Sequence, residues 1–154
     1  MTADLNWPDL QSAFLNGTWQ KRHYLDLESG QVHIVTEATR AVLQDVYDEV
    51  GEERAGELLD SAELQQAHRI EMDSYRYRAI PVCGERMLNM WRDAFANDCE
   101  PAFRNLLWSA LNQNNNGQFE RLLLLESAEK VRWEALLAQL VHEQLSTWLD
   151  TLPR

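Results

Sequence analysis

Basic residues, glycine, cysteine and long apolar runs are all scarce in this 154-residue chain. Its two cysteines, Cys83 and Cys99, are too few for a disulfide framework and form no CxxC pair of the metal-binding or redox kind. Gly51, Gly56 and Gly84 stand isolated, so no glycine-rich loop is available to cradle a phosphate, and neither an HExxH helix nor a nucleophile elbow occurs. The longest aliphatic run, Leu122 to Leu125, falls far short of the roughly 20 residues that a membrane-spanning helix needs. The opening residues Met1-Thr2-Ala3-Asp4 lack the basic start and apolar stretch of a secretory signal, which makes the cytoplasm the expected compartment.

Lys and Arg number 14 against 25 Asp and Glu, a net charge of −11. Such a field repels the phosphate backbone that a non-specific nucleic-acid binder must neutralise, so bulk DNA and anionic membrane are disfavoured partners. The acidity is concentrated: Asp45, Asp48, Glu49, Glu52, Glu53, Glu57, Asp60 and Glu63 fall in one segment whose sole base is Arg54.

What is present is an ordinary globular composition, 45% apolar and 25% charged. Asn6, Pro8 and Asp9 predict a helix over 6–16, with Leu5 and Leu10 as a hydrophobic staple and Gly17 as a left-handed cap. Two β-rich runs around Glu28-Ser29-Gly30 predict a hairpin with a three-residue loop. That register would pair Leu27 with Gln31, Leu25 with His33 and His23 with Val35, all on one face. Thr36 caps a second helix ending at Gly51, and residues 52–68 read as a loop with one short helix around 55–66. Alternation from Ile70 to Val82 predicts a third strand, with Arg76 and Arg78 on one face and tyrosines on the other.

The remainder reads as helical. Leu88, Trp91 and Phe95 form one stripe, and Pro101 opens a helix burying Phe103, Leu106, Leu107, Ala110 and Leu111. A short helix carries Phe119, Leu122 and Leu123. Ser127 caps a long final helix whose apolar face runs from Trp133 through Trp148 to Leu152. The fold expected is a single α+β domain over 1–154, mostly helical, with a small three-stranded antiparallel sheet (hairpin plus one strand) and a C-terminal helical bundle.

A spaced set of segments resembles a bacterial group, uncharacterised protein family 0158. Tyr24-Leu25-Asp26-Leu27-Glu28-Ser29-Gly30-Gln31-Val32 is similar to its hairpin. Arg78-Ala79-Ile80-Pro81 with Met87 and Phe95 resembles its central region, and Gly117-Gln118-Phe119, Arg132-Trp133 and Trp148-Leu149 resemble its ending. Glu120-Arg121-Leu122-Leu123 stands where that family has a basic run. The resemblance implies a fold and, since the family has no assigned activity, no catalytic residues.

Chemistry-bearing constellations are few. His23 and His33 are expected to lie diagonally on one hairpin face, yet no HxH or HxxxH spacing marks a metal site, and they read as half-buried structural histidines. Cys99 is flanked by Asp98 and Glu100, which oppose thiolate formation, and both cysteines read as structural. Trp91, Trp108, Trp133 and Trp148 fall on helical stripes and read as core, while Trp7 and Trp19 are expected to be partly exposed. Arg76 and Arg78 are candidate anion contacts, but their simpler role is ion pairing with Asp48, Glu52 or Glu53 of the acidic segment. No catalytic residue, metal ligand or cofactor site emerges. The function this supports is a non-enzymatic interaction or adaptor module that presents the acidic segment to a protein partner, with a homodimer left open. Two alternatives stand beside it: an RNA- or nucleotide-associated module built on the arginine strand, and an enzyme whose site assembles only in three dimensions.

Overall fold

Capping and turn chemistry set most element boundaries in the computed structural model, which describes residues 4–153. Eleven elements follow in order: α1 (Trp7–Asn16), β1 (Lys21–Asp26), β2 (Val32–Thr36), α2 (Glu37–Val50), α3 (Glu52–Leu58), α4 (Ala62–Met72), β3 (Tyr77–Ala79), α5 (Glu85–Asn97), α6 (Pro101–Asn112), α7 (Asn116–Leu125) and α8 (Ser127–Asp150). The chain is mostly helical with one small antiparallel sheet, an α+β architecture. The side chains of Asn6, Thr36, Ser61 and Asn115 each accept the backbone N–H three residues on, satisfying donors that a helix start leaves free. Gly17 is extended at φ −65°, not left-handed as expected. Glycine is needed there for space, because a Cβ would lie 2.8 Å from Val82 Cγ2.

The chain divides into two compact units, 1–82 with 148–154, and 83–147. In the first, the sheet order is β2-β1-β3. Tyr24 pairs with His33 and Leu25 with Val32, one residue away from the expected register. The cause is Asp26, whose carboxylate accepts the Glu28 N–H (3.0 Å) and the Ser29 hydroxyl (2.8 Å). That Asx-type turn lengthens the loop to Leu27–Gly30, closed by the Gly30 N–H on the Asp26 carbonyl (2.8 Å). Gly30 sits at φ +74°, and a Cβ on it would lie 2.0 Å from the Asp4 carbonyl oxygen. A one-residue slip exchanges the faces. His23 and His33 therefore lie on opposite sides of the sheet and cannot share a cation.

On the His33 side, Val35 and Tyr77 join Leu43, Leu59, Ala67 and Ile70 in a buried cluster. The acidic stretch after Gly51 folds as two helices, α3 and α4, rather than as a loop with one short helix. Ile70, expected in a strand, is buried one turn after Ala67 in α4. Asp73 then stops that helix by accepting the Arg76 N–H on its side chain (3.1 Å) and the Tyr77 N–H on its carbonyl (3.1 Å). Only Tyr77–Ala79 remains to pair with β1.

In the second unit, α5, α6, α7 and most of α8 form the helical bundle. Phe95, Phe119 and Trp133 stand in mutual contact, with centroids 5.3 to 6.5 Å apart, among Phe103, Leu107 and Leu123. Leu106 departs from the expected buried face, being 54% exposed.

Candidate functional site

The acidic segment is distributed over α2, α3 and the start of α4. Asp45, Asp48 and Glu49 recur at i, i+3 and i+4 on α2, opposite the face that carries Leu43, Val46 and Tyr47 into the core. Glu52, Glu53 and Glu57 follow on α3, Asp60 in the connection, and Glu63 in the first turn of α4. All eight side chains are exposed, and none forms an ion pair among the described residues. The segment thus presents eight carboxylates against the single base Arg54, which pairs with none of them.

Arg76 is held elsewhere. Its guanidinium donates two hydrogen bonds of 2.9 Å to the carboxylate of Asp26 and sits 3.0 Å from Glu28, so the partners expected for it, Asp48, Glu52 and Glu53, are not the ones it uses. The reason is topological: β3 lies beside β1, which brings position 76 to the hairpin turn. Asp26 is buried, and its carboxyl lies well below the usual carboxylate range, chiefly because of the Arg76 hydrogen bonds, against burial and with help from Ser29 and the Glu28 N–H. The same interaction raises the pKa of Arg76. His33 extends the network: its Nδ1 is hydrogen-bonded to the side-chain amide of Gln66, and its Nε2 is 3.8 Å from Asp26. Arg78 projects differently, its guanidinium 5.9 Å from the centroid of Tyr75, a residue 80% exposed.

Two further polar groupings were not foreseen. The Tyr47 hydroxyl and His68 Nδ1 share a hydrogen bond of 2.7 Å between α2 and α4. Burial, then Glu71 and Glu52, push the phenol up to about 12, so it keeps its proton at neutral pH. His68 also lines a small cleft of about 190 Å³ with Gly56, Leu59, Gln65 and Arg69. In the second unit, Cys99 Sγ lies 3.4 Å from Glu129 Oε2 and accepts from Arg132 at 3.2 Å, while Arg132 also holds Glu129 at 2.7 Å. Burial and Glu129 push this thiol up to about 11, and burial raises Cys83 as well. Both are protonated thiols at neutral pH, the unreactive form. The Tyr47–His68 and Cys99–Glu129 contacts join residues 21 and 30 positions apart, too far for any helical or strand periodicity to report. Asp26 did carry a local signal, an Asp three residues before a Ser in a Gly-closed turn.

A wider cleft of about 310 Å³ lies where β1 begins, lined by Trp19, Arg22, His23, Tyr24, Ile80 and Val82. Trp19 is 67% exposed on the turn closed by Thr18 and Lys21. His23 has its pKa lowered, first by burial and then by the charge of Lys21, which favours the neutral ring. Among the described residues, no helix is long and apolar enough to cross a membrane, and no group of three His, Cys, Asp or Glu side chains gathers as a cation site. No family model matches this chain, and no curated protein or solved structure is detectably similar to it.

Proposed function

We propose that the protein is an interaction module whose α2–α4 surface binds a basic protein partner. The observation that carries this reading is the set of eight exposed carboxylates, from Asp45 to Glu63, without an ion pair among the described residues. A strong excess of charge of one sign on a helical surface steers a complementary partner and gives the complex a strong salt dependence. A buried cluster beneath α2 and α4 holds the display in place without using the charges themselves.

The test is affinity purification with the native chain and with a charge-reversed form, Asp45→Lys, Asp48→Lys, Glu53→Lys and Glu57→Lys, followed by rebinding of each purified candidate. A basic protein that rebinds the native chain, weakens with salt and ignores the reversed form supports the reading. A partner indifferent to the reversal overturns it.

A second reading, single-stranded RNA binding, draws on the exposed Tyr75 and its neighbour Arg78, which together offer a base-stacking surface and a cation. Salt-sensitive RNA binding lost in Tyr75→Ala with Arg78→Ala would replace the first reading.

A further inference from the structure

The cleft at the start of β1 arises from the way that strand shares its outer edge. Thr18 and Lys21 exchange both backbone hydrogen bonds (3.3 and 3.2 Å), and further along the Ile80 N–H donates to the His23 carbonyl (2.9 Å). The register that pairs Tyr24 with Ala79 would set Val82 opposite Lys21, whose outward groups Thr18 has already taken. Residues 80–82 therefore leave the sheet, and a recess of about 310 Å³ stands between them and the turn that carries Trp19. Its walls are fixed. Ile80 is buried, and the Val82 side chain rests so close to Gly17 that a Cβ there would lie 2.8 Å from it. All the lining residues belong to the first compact unit, and Asp4, the first described residue, lies against Gly30 at the other end of the hairpin.

We infer that this recess binds a small aromatic carboxylate. Its lining holds one guanidinium, that of Arg22, and no carboxylate, on a chain with 25 acidic residues. Arg22 forms no ion pair among the described residues, which leaves its charge to a ligand. His23, the other base in the lining, favours its neutral form because of burial and the charge of Lys21. Beside the cation stand apolar surfaces that the fold leaves uncovered: Trp19 is 67% exposed and Val82 49%. A flat ring laid on the indole and Val82 removes both from water, while its carboxylate accepts two guanidinium N–H groups side by side. The volume lies at the lower end of small-molecule sites, enough for one or two fused rings. A phosphate monoester, carrying more than one charge, would call for a second cation that the lining lacks, and an aromatic cation would be repelled by Arg22. The recess lies outside α2, α3 and α4, so this inference does not depend on the acidic-surface reading.

The test is a titration of the full chain with 2-naphthoate, read from the amide and indole N–H resonances. The uncharged analogue 2-naphthylmethanol and the cationic analogue 2-naphthylmethylammonium separate the contribution of the ring from that of the charge. Expected is saturable binding of the acid with a Kd below about 1 mM, with shifts centred on Trp19, Arg22 and Val82. The alcohol should bind about tenfold more weakly, having lost the charge-assisted hydrogen bonds, and the amine not at all. Arg22→Gln should erase the preference for the acid over the alcohol, and Trp19→Ala should weaken both. Both side chains are exposed, so amide shifts of β2 and α1 that match the native chain establish that each variant is folded. An absence of saturable shifts around the recess overturns the inference, as does a native chain that takes acid and alcohol equally or a preference that survives Arg22→Gln. Naphthoate shifts centred on Tyr75 and Arg78 instead would reject the recess as its site.

Discussion

Asp26 and Arg76, fifty residues apart, form a two-pronged ion pair with both hydrogen bonds at 2.9 Å. The pair ties the hairpin turn to the loop entering β3, and it converts one of the two candidate anion-binding arginines of the sequence into part of the scaffold. Its carboxylate also shapes the turn through Ser29 and Glu28, so one side chain sets both the register of β2 and the docking of β3.

The first prediction follows from the depressed pKa of Asp26. A carboxylate that is more acidic folded than unfolded stabilises the fold above its unfolded pKa, near 4, and loses that contribution as pH falls toward the folded value. Melting temperatures of the native chain and Asp26→Asn should differ by their full amount above about pH 4 and draw together progressively as the pH falls further below it. A gap that does not change with pH would mean that Asp26 is not ionised by its surroundings in the way described.

At the alkaline end, Tyr47 supplies the opposite sign. Its phenol is raised to about 12, so its contribution is complete below the unfolded value near 10 and is lost as pH rises through the folded one. Phenolate absorbance should show a step near 12 that disappears in Tyr47→Phe.

Thiol labelling checks the second unit. With its pKa at about 11, Cys99 should react slowly at pH 8 in the native state and quickly once the chain is unfolded. Glu129→Gln removes the carboxylate that disfavours the thiolate and should shift the labelling profile of a Cys83→Ser background to lower pH. No shift would dissociate Glu129 from the thiol.

Trp133 is 3% exposed and contacts both Phe95 and Phe119. Trp133→Ala should therefore cost about 3 to 5 kcal/mol, a large fraction of a typical domain's stability. Leu125→Ser, at a side chain 78% exposed, should stay within about 0.5 kcal/mol. Urea denaturation of the two variants measures the contrast, and equal midpoints would contradict the described bundle core.

Local signals in the sequence determined the helices well. Asn6 and Thr36 cap helices as expected, Ser127 lies one residue inside the helix it was expected to cap, and Phe95, Leu107 and Phe119 are buried, because capping and periodicity act over one or two turns of chain. The hairpin was equally legible as a hairpin. Its register was not, since a strand period of two leaves both registers equally apolar, and the choice passed to the hydrogen bonds of the Asp26 side chain. The same limit applied between Gly51 and Tyr77, where weak periodicity concealed α3 and α4 until their packing against α2 supplied the missing apolar partner. Exposure of the eight carboxylates could be expected from composition alone, but the capture of Arg76 by Asp26 could not. Ion pairing depends on which elements the chain brings within a few ångströms, and only the β1–β3 pairing decided that.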